Sequence, residues 1–161
     1  MTVFHGGVCE IQHPDVVHSK PSVDFGPAFY MTTYRLQAEK WARRRAIRLR
    51  TRPIVNEYEL STSWDSFRVL QFGDTGEDWF DFVCSCRMDG LEWQNYDIII
   101  GRVANDDVYL TLNKYLDGEM TKEAALAELR YSRPNDQIAI NSQAALDTLL
   151  SFKRSYEPAE V

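Results

Sequence analysis

Five residues belong to types that commonly bind small molecules, and their order along the chain suggests that they act together. His5 and Gly6 end the first predicted strand, Tyr30 lies on the second, Trp41 falls in the next helix, and Gln137 opens a late strand. Glycine lets a main chain approach a ligand closely, aromatic rings stack, and imidazole and amide groups form hydrogen bonds. Each residue alone is a weak signal, because a single Tyr or Trp more often packs in a core.

The common catalytic and metal-binding motifs are absent. The chain contains no GxxxxGK[ST], GxSxG or HExxH, and no GxGxxG follows a strand. The three histidines lie on a predicted strand and a loop, with spacings unlike those of helical zinc ligands. Three cysteines, an odd number without a second CxC or CxxC pair, argue against a disulfide framework or a four-ligand zinc site. We expect reduced thiols, no bound metal and a cytoplasmic protein.

Length and charge bound the fold and its partners. A chain of 161 residues predicts a single domain, residues 1–161. We expect no signal peptide and no membrane span, because neither a basic-then-apolar start nor a run of about 20 apolar residues occurs. Between Arg35 and Arg52, eight basic residues oppose only Glu39, a local charge of +7 in a chain of net charge −6. The remaining residues therefore sum to −13, and the molecule should carry one basic ridge.

Periodicity predicts a mixed α+β domain rather than a regular βαβ alternation. The predicted strands cover residues 2–7, 28–32, 54–60, 67–72, 96–103 and 135–141. A helix capped by Thr32 or Thr33 should end at Pro53 and present an apolar stripe of Leu36, Ala38, Trp41, Ala42, Ala46 and Leu49. Further helices are predicted over residues 77–87, 106–118, 121–131 and 142–154, with a C-terminus that frays after residue 154.

Several short motifs occur in an order that resembles the ADP-ribosyltransferase superfamily, in its diphtheria-toxin and poly-ADP-ribose-polymerase-like branch. "FHGG" at residues 4–7 is similar to the first motif of that branch, and "FGPAFYMTTYRLQAEKWA" to the second. The likeness is closest to a bacterial domain-of-unknown-function family (3990). Its motifs are matched at residues 24–32, 96–106, 115–118 and 135–137. The third motif has Gln137 where the wider superfamily usually has Glu.

This resemblance implies two small packed antiparallel sheets flanked by helices, with NAD as substrate. It implies that His5, Tyr30 and Gln137 are catalytic. It also implies an NAD-binding set of His5, Gly6, Asp24, Phe25, Gly26, Phe29, Tyr30 and Trp41. Tyr30 and Trp41, with ten residues between them, would sandwich the nicotinamide. His5 would bond the adenosine-side ribose, the Gly6 backbone the carboxamide, and Gln137 the reacting ribose.

The function expected from the resemblance is that of an ADP-ribosyltransferase toxin of a bacterial toxin–antitoxin or defence system. Its acceptor would be a protein or a nucleic acid, and a small antitoxin protein is a further expected partner, with no membrane partner. Two alternatives stay open: an NAD glycohydrolase, and a non-catalytic module that binds NAD or a partner. The basic ridge fits a solvated surface, a polyanion or an acidic antitoxin.

Overall fold

A computed structural model of the chain describes residues 1–19, 23–73, 75–104, 106–129 and 135–159. The strands are β1 (Thr2–Gly7), β2 (Phe29–Met31), β3 (Ile54–Leu60), β4 (Val69–Gln71), β5 (Ile98–Gly101), β6 (Gln137–Ile140) and β7 (Leu150–Tyr156). The helices are α1 (Arg35–Leu49), α2 (Glu77–Arg87), α3 (Asp106–Leu116), α4 (Lys122–Leu129) and α5 (Gln143–Leu149), with a 3₁₀ turn at Glu92–Asn95. The last two residues of the helix predicted over 121–131 lie outside the described residues.

The strands form two small sheets, which confirms the α+β class. One has the order β1-β3-β7 and is antiparallel, and the other has the order β2-β6-β5-β4. The expectation of two antiparallel sheets is confirmed for the first sheet and wrong for one pair of the second, because β4 pairs parallel to β5. Helix α2 supplies the crossover that a parallel pair needs. Among the described residues, one bridge, between Phe4 and Thr32, connects the two sheets.

The consecutive isoleucines of β5 pack into two different hydrophobic cores, one on each face of the sheet. Ile98 packs with Val3, Phe29 and other side chains on one face of the four-stranded sheet, whereas Ile99 packs with Phe25 and the side chains of α2 to α4 on the other. Successive strand residues project to opposite faces, so a strand that is buried on both faces reads as a continuous apolar run.

The predicted helix over residues 142–154 was wrong beyond its first two turns. Ser142 caps α5 as a helix start should, and its side chain accepts a hydrogen bond from the Ala145 amide. The chain then turns into β7, which pairs with β3, and the Phe152 ring meets the Tyr58 ring at 5.7 Å. A short apolar run is ambiguous between helix and strand, and here pairing with a distant strand decided the outcome. The prediction of fraying after residue 154 was wrong where β7 continues to Tyr156.

The apolar stripe predicted on α1 is confirmed for its three alanines and wrong for its large members, Leu36, Trp41 and Leu49. Ala38, Ala42 and Ala46 are at most 3% exposed, whereas Leu36 is 70% and Trp41 51% exposed. The alanines let the helix approach β1 closely. The helix also ends before Pro53, because Arg50 adopts a left-handed conformation with φ 53° and closes the last turn.

None of the described helices is both long and apolar enough to cross a bilayer. Among the same residues, no group of three or more His, Cys, Asp or Glu side chains is placed to hold a metal ion.

Candidate functional site

The "NDQ" segment at the start of β6 binds three separate parts of the chain. The first residue, Asn135, forms two hydrogen bonds with the backbone of Val103, accepting from the amide at 3.0 Å and donating to the carbonyl at 3.2 Å. This pair extends the contact between β5 and β6 beyond the last ladder residue. Asn135 thereby fixes the loop that follows β5.

Asp136 holds the turn that leads into α1. Its carboxylate accepts hydrogen bonds from the Thr32 and Thr33 hydroxyls and from the Thr33 amide, and its carbonyl accepts from the Gln37 side chain at 2.7 Å. A carboxylate at the start of a helix also interacts favourably with the helix dipole. The prediction that Thr32 or Thr33 caps α1 was wrong, because Tyr34 is the N-cap and makes no side-chain cap bond.

Gln137 and Asp24 form the centre of a buried polar cluster. Gln137 is 7% and Asp24 8% exposed, and the Gln137 amide nitrogen donates to Asp24 Oδ2 at 3.3 Å. The same oxygen accepts from the Ala104 amide at 3.1 Å. The other carboxylate oxygen accepts from Arg87 Nη2 at 2.6 Å and Nε at 2.9 Å. The Asp24 carboxylate is thus satisfied by four donors, as a buried charge requires.

Arg87, on the last turn of α2, was not identified from the sequence. Its side chain is 11% exposed and its guanidinium lies over the Tyr109 ring at 4.7 Å. The remaining nitrogen, Nη1, is buried and has no hydrogen-bond partner among the described residues. No local pattern could have indicated this ion pair, since 63 positions separate Arg87 from Asp24.

The turn after Asp24 is buried on both sides. Phe25 is fully buried, in ring contact with Phe72 and Phe82. Gly26 has φ +75°, and a Cβ there would lie 2.3 Å from the Trp93 ring, so only glycine fits. Phe25 and Gly26 therefore shape the turn and expose no side-chain surface to a ligand in this conformation.

Tyr30 is anchored to this turn by its hydroxyl. The hydroxyl donates to the Gly26 carbonyl at 2.5 Å and accepts from the Phe25 amide at 3.0 Å. Burial raises the pKa of Tyr30 well above its usual value, and the nearby charge of Asp24 raises it further. The phenol is therefore neutral at physiological pH, and its ring orientation is fixed.

His5 is braced against β2. Its Nδ1 lies 2.7 Å from the Tyr30 carbonyl oxygen, and its ring stacks on Phe29 at 4.6 Å. Since a carbonyl only accepts, Nδ1 carries the proton and a neutral ring presents Nε2 as an acceptor. Burial lowers the pKa of His5, and the positive charge of Arg45 adds to this effect, so the neutral form is favoured. A Cβ on Gly7 would lie 3.4 Å from His5 Nε2, so a glycine at this position leaves the space beside Nε2 free of a side chain.

A gap separates β1 from β2 beyond the Phe4–Thr32 bridge. Phe4 exchanges both backbone hydrogen bonds with Thr32. By the alternation of antiparallel strands, the amide and carbonyl of Gly6 point the same way, towards Tyr30. No strand pairing joins Gly6 to Tyr30 in the described chain, because the Tyr30 carbonyl bonds the His5 ring instead. Among the described residues, the Gly6 backbone groups that face Tyr30 therefore have no strand partner.

Strand alternation assigns the candidate side chains to two faces. Tyr30 lies opposite Ala139 on β6, and Gln137, two positions before Ala139, projects from the same face. The Phe4–Thr32 bridge places Gly6 opposite Tyr30, so Gly6 belongs to this face as well. His5 projects from the other face, with Phe29. The structure thus brings Gly6, Tyr30 and Gln137 to one side, and His5 joins them through the Tyr30 backbone.

Gly6 also fixes the distance between β1 and α1. A Cβ at this position would lie 2.1 Å from the Ala38 carbonyl oxygen and 3.0 Å from the Ala42 nitrogen. The helix that carries Trp41 therefore lies directly against the strand that carries the open backbone. Trp41 itself is half exposed and makes no ring contact with Tyr30 among the described residues.

A separate shallow cleft lies at the start of α2. It is lined by Gln71, Phe72, Gly73, Gly76, Glu77, Asp78 and Trp79. The cleft contains none of the candidate residues, and two carboxylates at the N-terminus of α2 make it unfavourable for an anion. We therefore place the candidate site at the gap between β1 and β2.

The fold and site define an α+β protein of two small sheets with a backbone gap at their junction. The chain matches the model of a family described as "Protein of unknown function (DUF3990)" over residues 1–152, and it belongs to that family. No match was found among curated proteins or solved structures.

Proposed function

We propose that this protein binds NAD at the gap between β1 and β2 and transfers ADP-ribose to a macromolecule, acting as a cytoplasmic bacterial toxin. The observation that carries the proposal is the open backbone of Gly6 opposite Tyr30. An amide and a carbonyl that point the same way match the two hydrogen-bonding ends of a carboxamide. The Tyr30 ring is on the same face, so a planar nicotinamide bound there could stack on it.

The reaction would break the bond between the ribose C1′ and the nicotinamide nitrogen. Nicotinamide leaves as a neutral base with the bonding electron pair, a cation-like ribose develops, and an acceptor nucleophile bonds to C1′ and loses a proton. Trp41 on α1 would cover the second face of the nicotinamide, and His5 Nε2 would accept a hydrogen bond from a hydroxyl of the adenosine-side ribose. Gln137 would orient the reacting ribose through its amide oxygen, because its nitrogen is engaged by Asp24.

An amide at position 137 limits the rate that this site can reach. A hydrogen bond to a charged group contributes about 1.5–3 kcal/mol, and a neutral one about 0.5–1.5 kcal/mol. The difference corresponds to roughly tenfold in rate at the midpoints. A slow transferase is still toxic when its target is essential.

One observation favours a second candidate, a non-catalytic module that binds NAD or a partner. The Gln137 amide is only 7% exposed and donates to Asp24, so its presence is already explained by the fold. In that case binding at the Gly6 gap would occur without cleavage. An NAD glycohydrolase is the third candidate and differs from the transferase only in using water as the acceptor.

Incubation of the purified protein with adenylate-labelled NAD, with and without cell lysate, separates the three. A labelled macromolecule identifies a transferase, and free ADP-ribose in both samples identifies a hydrolase. Binding of NAD without either product identifies the non-catalytic module. Absence of binding and of products would refute the NAD site altogether.

Variants test the assignment of the site. We expect His5→Ala and Gln137→Met to lower turnover at least tenfold, and Trp41→Ala to weaken NAD binding. His13→Ala is the matched control, because His13 is an exposed histidine outside the gap. Folded His5→Ala and Gln137→Met proteins with unchanged turnover would show that the assignment is wrong.

A further inference from the structure

One face of α1 carries cations and exposed aromatic rings together. Tyr34, Trp41, Arg44, Arg45 and Arg48 follow a spacing of three, four and seven residues, so they lie on one side of the helix and its N-cap. We call these five residues the arginine face. All five are exposed, with Tyr34 47% and Trp41 51% exposed.

The carboxylate within α1 does not neutralise this face. Glu39 is 6% exposed and lies on the buried side of the helix, where it pairs with Arg35 at 2.9 Å and Arg43 at 3.5 Å. Among the described residues, neither Arg45 nor Arg48 forms a salt bridge. Their charges are therefore available to a partner.

The local charge acts in spite of the acidic remainder of the chain. At physiological ionic strength, exposed charges more than about 8 Å apart are largely screened. A ligand in contact with the arginine face therefore interacts mainly with the local positive charge. Dissolved ions screen most of the net charge of −13 that the rest of the chain carries. The face belongs to the helix that packs against β1, where a Cβ on Gly6 would lie 2.1 Å from the Ala38 carbonyl oxygen.

We propose that the arginine face binds single-stranded nucleic acid, with phosphates on its guanidinium groups and bases stacked on its exposed rings. Guanidinium groups match phosphate oxygens in a bidentate geometry. Aromatic side chains in a positively charged surface are the features that bind single strands without sequence preference. An acidic protein would pair with the cations but would not need the two exposed rings, Tyr34 and Trp41, on the same face.

This interaction goes beyond the NAD chemistry and does not depend on it, so it is measured without NAD. A fluorescein-labelled oligothymidylate of about twelve nucleotides, and an oligouridylate of equal length, are titrated by anisotropy at several salt concentrations. Three phosphate contacts predict a slope of log K against log salt of about −2, because each contact on a single strand contributes about −0.7. Affinity should then fall roughly 20-fold between 50 and 200 mM salt.

Paired variants locate the binding on the arginine face. Arg45→Gln/Arg48→Gln should reduce the slope to about −0.7, and Tyr34→Ala should weaken binding without changing the slope. Lys114→Gln/Lys153→Gln is the control, because it removes the same net charge from α3 and β7 and should leave both affinity and slope unchanged. Circular dichroism confirms that each variant is folded.

Three outcomes would overturn the proposal: no binding to either oligonucleotide at 50 mM salt, equal losses in the two double variants, or equally tight binding of polyglutamate. The last result would assign the face to an acidic protein. Because NAD is absent from these titrations, failure of the proposed NAD site would leave them unaffected.

Discussion

Replacement of Gln137 by Glu tests why this chain has an amide rather than a carboxylate at the start of β6. The Gln137 nitrogen donates to Asp24 Oδ2 at 3.3 Å inside a cluster that is more than nine-tenths buried. In Gln137→Glu, an acceptor oxygen takes the place of that donor. Two carboxylates would then face each other, and no space for solvent separates them.

The cost can be worked from that distance. Two unit charges 3.3 Å apart repel by about 5 kcal/mol at an effective dielectric constant of 20. The alternative is to protonate the new glutamate, which costs about 3.7 kcal/mol at pH 7 for a group with an ordinary pKa of about 4.3. The molecule adopts the less costly state, so we expect a loss of 3–4 kcal/mol. For a chain of this size this corresponds to a decrease in Tm of roughly 7–15 °C.

The pH dependence identifies the cause. In the folded variant the pKa of the glutamate at position 137 is raised above its unfolded value, so the folded state binds the extra proton. Stability is therefore lost as the pH rises from about 4.3 towards the folded pKa. At pH 5 the deficit should shrink to about 1 kcal/mol, because the protonated glutamate donates to Asp24 as the amide does.

Urea unfolding at pH 5 and pH 7 measures both quantities. Asp24→Asn/Gln137→Glu is the matched double variant, since an asparagine amide can donate to the new carboxylate and Arg87 keeps one negative partner. We expect it to be more stable than Gln137→Glu at pH 7 and to show a weaker pH dependence. A deficit for Gln137→Glu that is equal at pH 5 and pH 7, or equal in the Asp24→Asn background, would refute this reasoning.

Three further changes test the fold around the site. Gly6→Ala places a Cβ 2.1 Å from a carbonyl oxygen of α1 and should cost about 3 kcal/mol in thermal unfolding, whereas Gly7→Ala, with its nearest neighbour at 3.4 Å, should cost little. Arg87→Leu leaves the buried Asp24 carboxylate without its cation and should cost about 3–5 kcal/mol in urea unfolding. An aromatic disulfide reagent should modify Cys9 at once, while the two buried thiols, whose pKa burial raises to about 11 and about 12, should react only on unfolding. Equal stability of the two glycine variants would contradict the first expectation. An Arg87→Leu protein as stable as the unmodified chain would contradict the second, and rapid reaction of all three thiols the third.

Local signals in the sequence predicted the elements whose ends are set by local chemistry. Helix α2 has the predicted bounds, and the turn after α3 uses Gly118 at φ +75° as expected of a glycine. Thr121 accepts a hydrogen bond from the Ala124 amide at the start of α4. Such caps involve groups within a few positions of each other, so a single sequence contains the whole interaction.

Long-range pairing could not be predicted in the same way. Strand β7 pairs with β3, where Phe152 lies opposite Tyr58, and the buried Asp24 pairs with Arg87. In each case the partner lies far away in sequence. The residue types near Phe152 were equally compatible with a helix, and those near Asp24 with a solvent-exposed loop. The candidate residues were identified by their order along the chain. Arg87 lies in none of the matched motifs, and Asp136 lies in the motif at residues 135–137 but was given no role.

The gap between β1 and β2 depends on a competition between a side chain and a backbone ladder. The Phe4–Thr32 bridge places Gly6 opposite Tyr30, so continued antiparallel pairing would join their backbones and merge the two sheets. The His5 ring takes the Tyr30 carbonyl at 2.7 Å and thereby removes the acceptor that this pairing needs. Side chains that bond a nearby backbone offer it an alternative to the ladder. His5 therefore keeps the Gly6 amide and carbonyl out of a backbone ladder with Tyr30, a role that does not depend on any contact between His5 and a ligand.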